Sequence, residues 1–402
     1  MLVTVGYSER PSSTDGGSES AREAVNKSGR ASPCDLALLF YTSLHDPKEL
    51  LRAVTSVLGQ SVRVVGGGAV GAITNDRFGY AGDQVVIACF WLDGIEVDIL
   101  SEGGLREGER AVGERLGRRL AHLGVSEHSP VTLFYDAIDR VGGGMRLLMA
   151  TRLLAGIEDG LGFLPDIAGA GMMGDYACTA VGQIAGGDGV AAHHAVALAY
   201  RGDIRIDTAI MHGCQPATGY YRITEASDRT ILGINGKPAL QFIDDILDHT
   251  IPHDRYPLFL IFGVNSGDKW GEFDEDKYAS RLCLGIDEER NGIIMFEPDM
   301  VEGTEFQIMY PKLETDYIAP KVDAVFDNLA GRKPVFALYI NCAGRAAGYN
   351  GEDAEDAIAL QKAVADRAPI LGMYSGVEIA RIGGRPRGLD WTGVFSLFSV
   401  PE

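Results

Sequence analysis

The sequence predicts an α/β protein of two domains, with mixed sheets built from repeated strand–helix–glycine-turn–strand units. Three observations predict it. A glycine-rich stretch occurs three times, as VVGGGAVGAI (64–73), IAGAGMMGDY (167–176) and ILGMYSGVEI (370–379). Upstream of each, across a helical pattern, lies an apolar strand with an aromatic near its end: DLALLFYTS (35–43), PVTLFYDAI (130–138) and PVFALYINC (334–342). The segments IACFWLDGIEVDI and ALAYRGDIRIDTA, after the first two copies, also match closely. Recurrence of one supersecondary unit marks an internally duplicated architecture, and strands alternating with helical patterns mark α/β layers.

Residues 2–6 read as a small strand, 8–20 as a flexible loop rich in Ser, Gly and Asp, and 21–27 as a short helix. Strand 35–41 follows, then a helix over 47–58. Pro47 suits its first turn, and Leu50, Leu51, Val54, Val57 and Leu58 form its apolar face. A glycine turn runs from Gly66 to Gly71. Strands 84–91 and 95–100 meet at Asp93-Gly94, a hairpin signal. The second unit repeats the order: strand 130–136, a helix near 143–160, the turn Gly169 to Gly174, and strands 195–200 and 204–210 across Gly202-Asp203. Beyond 211–219 the pattern changes to strands 220–224 and 230–234, a helix over 238–248, a buried strand 258–264 and strands either side of Asn291-Gly292. The last unit has strand 334–342, a helix over 351–367, the turn Gly372 to Gly376 and a closing strand 393–400. The expected organisation is an N-terminal extension (1–34), a domain of two repeats (35–213) and a second domain (214–402).

With 402 residues the chain can build two or three cores, and its 46% apolar content is that of a globular protein. Its 36 basic against 56 acidic residues give a formal charge of −20, which excludes nucleic acid and anionic membrane surfaces as partners. The six cysteines are scattered without a CxxC, so they read as reduced core residues and not as a zinc site. No export signal opens the chain and no apolar run reaches the roughly 20 residues of a membrane span. A cytoplasmic protein is expected.

Closely spaced glycines after a strand let backbone N–H groups converge on an anion, which makes Gly66, Gly67, Gly68, Gly169, Gly171 and Gly372 candidate ligand contacts. Glycines chosen for tight turns and close packing are the plainer reading. A dinucleotide fingerprint would need a helix at once and an acid about 20 residues on; AITNDRFGYAGD after Gly71 reads as loop and strand. Cys342 and Arg345 lie just past the carboxyl end of an apolar strand, where open α/β sheets place ligand crevices. The Arg345 fork suits a carboxylate, and Glu378, near Tyr374 in the adjoining turn, suits an ammonium; alternatively Arg345 and Glu378 pair with each other or with backbone. Cys342 as a nucleophile would need a base, and no histidine follows His253. A haem would need an accessible imidazole in an apolar pocket: His212, beside Gly213-Cys214, is the first axial candidate and His45 the second, with a structural role the simpler reading of each. FDEDKY (273–278) and DEER (287–290) lack calcium-loop spacing and read as solvated loops.

The chain resembles the FIST sensory family, with its N-terminal and C-terminal FIST domains, over almost its full length. The resemblance is carried by 35–42, the stretch 66–73, GCQP (213–216), RIT (222–224), NGKPAL (235–240), NCAGR (341–345), and Gly372 through Glu378-Ile379. Ala72 stands where the family has Glu, Gly67-Gly68 where it has polar residues, and Asp390-Trp391-Thr392 where it often has Asn-Gln-Thr. The resemblance implies a stand-alone signal-input protein that binds a small molecule, an amino acid or similar, and acts on a separate partner such as a histidine kinase or chemotaxis protein. One branch of the family implies a haem-binding nitric-oxide sensor. The expectation is a non-enzymatic sensor with a ligand cleft between or within the duplicated units; a haem-based sensor and a hydrolase or transferase using Cys342 are the alternatives.

Overall fold

Strand and helix succeed each other in three similar runs. In the computed structural model, which describes all residues except 142–143, 180–181, 186–188, 313 and 352–353, unit one comprises β1 (Leu2–Ser8), α1 (Ser13–Ser28), β2 (Leu36–Tyr41), α2 (Pro47–Leu58), β3 (Arg63–Gly68), β4 (Gly71–Ile73), β5 (Phe78–Tyr80) and β6 (Val85–Trp91). Unit two comprises β7 (Glu96–Gly103), α3 (Glu109–His122), β8 (Pro130–Asp136), β9 (Ile138–Val141), β10 (Gly144–Leu147), α4 (Ala150–Leu161), β11 (Asp166–Met172), β12 (Gln183–Ala185), β13 (Gly189–Ala191) and β14 (His194–Arg201). Unit three opens with β15 (Arg205–Met211) and is then interrupted by β16 (Cys214–Pro216), β17 (Tyr221–Ser227), β18 (Thr230–Ile234), β19 (Lys237–Pro238), α5 (Ala239–Ile246), α6 (Tyr256–Phe259), β20 (Ile261–Asn265), β21 (Tyr278–Asp287), β22 (Gly292–Met295) and β23 (Glu305–Pro311). It resumes with α7 (Ile318–Asp327), β24 (Lys333–Cys342), α8 (Ala347–Asn350), α9 (Asp356–Val364), β25 (Ile370–Ser375), β26 (Val377–Ile382), β27 (Arg385–Leu389) and β28 (Gly393–Val400).

Each unit builds one sheet, and the three strand orders correspond: β1-β6-β2-β3-β12-β13, β7-β14-β8-β11-β26-β27 and β15-β28-β24-β25-β4-β5. Four strands come from the unit itself, and the edge hairpin is donated by another unit. The inner faces of the three sheets share one core, where edge-to-face aromatic pairs join every pair of sheets: Phe40–Phe134, Phe90–Phe336 and Tyr200–Phe398. The outer faces are covered by α1 and α2, α3 and α4, and α7 and α9. Strands buried on both faces need continuous apolar runs, as in LALLFY of β2. The interruption is a closed antiparallel ring, β23-β17-β18-β22-β21-β20 and back to β23, with its own core.

Several expectations are corrected. The glycine stretches are strand, not turn: Gly66, Gly67 and Gly68 lie in β3, Gly169 and Gly171 in β11, and Gly372 and Tyr374 in β25. Gly66 pairs with Leu39 and Gly169 with Leu133 in the parallel ladders, and a Cβ on either would sit 1.8 Å from the opposing carbonyl oxygen. A Cβ on Gly171 would lie 2.7 Å from the Tyr135 hydroxyl, and one on Gly67 2.9 Å from the Gly182 carbonyl. The repeat is therefore a close-packing signature. Asp93-Gly94 does reverse direction with positive φ at both residues, but β6 and β7 do not pair, because β6 already has β1 and β2 as neighbours and β7 crosses to the next sheet beside β14. Helix α1 covers the short helix expected at 21–27 and extends back to Ser13, through residues expected as loop; its glycines Gly16 and Gly17 give close approach to Val85 and to Ala53 and Leu50. The helix expected from 143 begins at Ala150, after the β9–β10 hairpin, with 142–143 outside the described residues.

Candidate functional site

The carboxyl ends of β8, β11, β24 and β25 point at the inserted ring, and a cavity of about 230 Å³ lies where they meet. Unit two supplies Ile138, Leu147 and Met149, unit three Cys342 and Val377, and the ring Phe296. The lining is apolar and rich in sulfur, with Met145, Met173 and Cys178 adding to Cys342 and Met149. Its two carboxyl groups are Glu297 and Asp390; among the described residues no lysine, arginine or histidine lines it. Met145 and Tyr349, 44% and 46% exposed, mark its open side. The Tyr349 ring stacks on Tyr176 at 4.4 Å, and the Tyr176 hydroxyl donates to the Ala343 carbonyl at 3.0 Å.

The two acids differ in what they do. Glu297 accepts from the N–H groups of Ala150 and Thr151, both at 3.0 Å, so the ring caps the first turn of α4. Asp390 Oδ2 accepts from the Leu282 N–H at 3.0 Å, whereas Oδ1 is buried with no hydrogen-bond partner among the described residues. Burial pushes the Asp390 carboxyl up to about 7 and raises Glu297 as well. Neither acid was a candidate site residue in the sequence, where Asp390 entered only as the start of the tripeptide that departs from Asn-Gln-Thr. The available signal was an acid embedded in an apolar run, Glu297 in IIMFEP and Asp390 between Leu389 and Trp391.

Of the candidates, Cys342 lines this cavity. Its thiol is driven far up by burial and then by the neighbouring Glu378, which holds it un-ionised and un-nucleophilic. Glu378 is fully buried behind Ser375: it accepts from the Ser375 hydroxyl at 2.9 Å and the Thr392 N–H at 3.3 Å, and burial pushes its carboxyl well up. Tyr374 donates to Glu355 at 2.7 Å, away from the cavity.

Arg345 belongs to a neighbouring groove of about 920 Å³, lined also by Tyr317, Asp356 and Trp391. Its fork is already used. Nε donates to Asp356 Oδ2 at 2.7 Å, Nη1 to the His212 carbonyl at 2.6 Å and the Trp391 carbonyl at 3.3 Å, and Nη2 to the Tyr317 hydroxyl. Arg345 and Glu378 do not pair with each other, but each bonds backbone, as the alternative reading had it: Arg345 the carbonyls of His212 and Trp391, and Glu378 the Thr392 N–H. With those bonds made, neither group faces the cavity as one end of an amino-acid reader. Arg345 instead ties the start of α9 to the two chain crossings at 212 and 391.

Neither axial candidate, His212 nor His45, lines the cavity or the groove. His212 Nδ1 accepts from the Cys214 N–H at 2.9 Å, and burial pushes the imidazole down to about 4. His45 uses both ring nitrogens, toward Ser13 Oγ at 3.4 Å and the Asp83 carbonyl at 3.0 Å. Nor is FDEDKY wholly solvated: Glu275 accepts from the His212 and Gly213 N–H groups at 2.7 and 2.9 Å.

The FIST N domain profile matches residues 35–237 and the FIST C domain profile residues 239–381. The chain belongs to the FIST family. FIST domains are associated with sensory signal transduction, so this FIST protein is placed in that broad class. Two curated relatives, uncharacterized proteins of Mycobacterium bovis and Mycobacterium tuberculosis, are each 25% identical over 192 residues, which is 47% of this chain and 49% of theirs. The match thus spans about half the length of these relatives. A solved structure titled as a cyanuric acid hydrolase from A. caulinodans aligns with 100% of this chain and 99% of its own, at 10% identity and a TM-score of 0.40. Among the described residues of this FIST chain, no helix is long and apolar enough to cross a membrane.

Proposed function

We propose that this FIST protein is the ligand-binding input of a signalling system, and that its receptor site is the 230 Å³ cavity between unit two, unit three and the inserted ring. One observation carries the reading: the cavity wall is shared by three separately built parts, so an occupant touches all three at once. A ligand shifts a conformational equilibrium only through contacts that differ between its states, and a shared wall supplies such contacts. A separate signalling partner, a kinase or chemotaxis protein, would read the changed relation of the ring to the three-sheet body. Binding without turnover is favoured because burial keeps both thiols of the described cavity wall, Cys342 and Cys178, in the protonated form.

A thermal-shift screen of small apolar molecules against the native chain and Leu147→Trp tests this. Leu147 is half-buried at the cavity wall, so an indole there fills space without disturbing the core. A ligand that raises the melting temperature of the native chain by mass action and loses that effect in Leu147→Trp supports the reading. Ligands that stabilise both proteins equally place the receptor site elsewhere.

A further inference from the structure

We infer that the cavity selects an apolar primary amine, with the ammonium group donating to Asp390 Oδ1 and the hydrocarbon body lying among Leu147, Phe296 and Val377. The inference rests on the receptor reading and adds the ligand's chemistry to it. The cavity has one polar end. Both Glu297 oxygens are held by the first turn of α4 and Asp390 Oδ2 by the Leu282 N–H, which leaves Oδ1 as a buried acceptor without a partner among the described residues, in the wall of an otherwise apolar space. A buried acceptor left unmatched is costly, and Asp390 is only 2% exposed. With no cationic side chain lining the cavity among the described residues, a carboxylate would enter against Glu297 and Asp390 with no counter-charge. An ammonium meets an acid, and a charge-assisted bond is the stronger kind.

Size sets the body. An apolar cavity of about 150 Å³ accommodates benzene, so 230 Å³ corresponds to roughly nine heavy atoms by the same scaling. Phenethylamine has that size. The charged and titratable groups acting on Asp390 are Arg281, Glu297 and Asp299 from the ring and Glu378, Cys342 and Tyr135 from the three-sheet body. Arg281 is committed to Asp299 through two bonds of 2.7 and 2.5 Å. Since the Asp390 carboxyl titrates near neutrality, an ammonium that draws it into the carboxylate form displaces a proton.

The test compares phenethylamine, phenethyl alcohol and 3-phenylpropionate on the full chain by titration calorimetry, at pH 6 and pH 8 and in two buffers of different ionisation enthalpy. The expected result is that the amine binds at least about tenfold more tightly than the other two, binds more tightly at pH 8 than at pH 6, and releases protons at pH 6. In Asp390→Asn, whose amide oxygen can still accept from Leu282, the preference for the amine over the alcohol is expected to vanish. Alcohol or carboxylate binding as tightly as the amine overturns the inference while leaving the receptor reading standing, as does an amine affinity that is flat or falls from pH 6 to pH 8. No binding by any of the three overturns the amine assignment, and the Leu147→Trp screen then judges the receptor reading separately.

Discussion

Two buried ionisable residues of this FIST protein serve opposite ends. Arg345, 7% exposed, spends its guanidinium on Asp356, two carbonyls and a tyrosine hydroxyl. Breaking a buried pair by removing one partner costs about 3–5 kcal/mol. Arg345→Ala should therefore lose stability on that scale in urea denaturation, while ligand affinity in the neighbouring cavity stays close to native; a loss below about 1 kcal/mol would show the pair to be dispensable. Asp390 has an idle oxygen instead. Its folded carboxyl titrates at about 7, as does that of Asp136, far above the value of an unfolded Asp. Between pH 6.5 and 8 the folded state thus holds protons that the unfolded state has already lost, so stability should fall as pH rises across that window. The melting temperature should be higher at pH 6.5 than at pH 8, and Asp390→Asn should flatten the slope. The Arg345 role was legible only in part: pairing with backbone was the alternative reading of its fork, whereas Asp356 and Tyr317 come into view only once the fold places them. The Asp390 role was not legible, because an acid's burial depends on segments far away, here Leu282 and the ring.

Elements explain why the repeats were legible and the turns were not. The parallel pairs β2–β3 and β8–β11 bring a glycine against a leucine carbonyl at the same register, so the sequence must repeat glycine there. Gly169→Ala should cost at or beyond the upper end of the about 1–3 kcal/mol of overpacking, whereas Gly29→Ala, with φ of 62° but open space around it, should cost about 1 kcal/mol; chemical denaturation distinguishes the two. Equal costs would remove the close-packing explanation. Asp93-Gly94 was readable as a reversal but not as a change of sheet, since local turn chemistry says nothing about which edge is free. The first half of α1 was hidden because its Gly and Ser content opposes helix formation in isolation, and packing against α2 overrides it. Glu297 joins two elements 146 residues apart, and Glu297→Ala should uncap α4, cost about 1–2 kcal/mol and speed amide exchange at Ala150 and Thr151. Unchanged protection there would show that the cap does not hold the helix.

At the scale of the molecule, hairpin exchange makes the three units interdependent. Sheet two is completed by β26 and β27, sheet three by β4 and β5, and the first by β12 and β13. A fragment of residues 1–213 would leave β11 without its β26 neighbour and β4 without β25, so it is expected to be protease-sensitive and aggregation-prone, where a stable monomeric fragment would contradict the interleaving. The mixed α/β class and the threefold recurrence could be read from pattern, because each unit repeats its own local chemistry. The cavity was legible only in part: Cys342 at its strand end was a candidate, and Met173, Tyr176, Gly376 and Val377 belong to the repeated stretches, but Leu147 and Phe296, which complete the wall, lie in no motif read from the sequence. The most direct measurement is a crystal structure of the full chain soaked with benzene, a probe that needs no knowledge of the native ligand. Density between Leu147, Phe296 and Val377 is the expected result; density confined to the groove beside Arg345, with the three-way cavity collapsed, would contradict it.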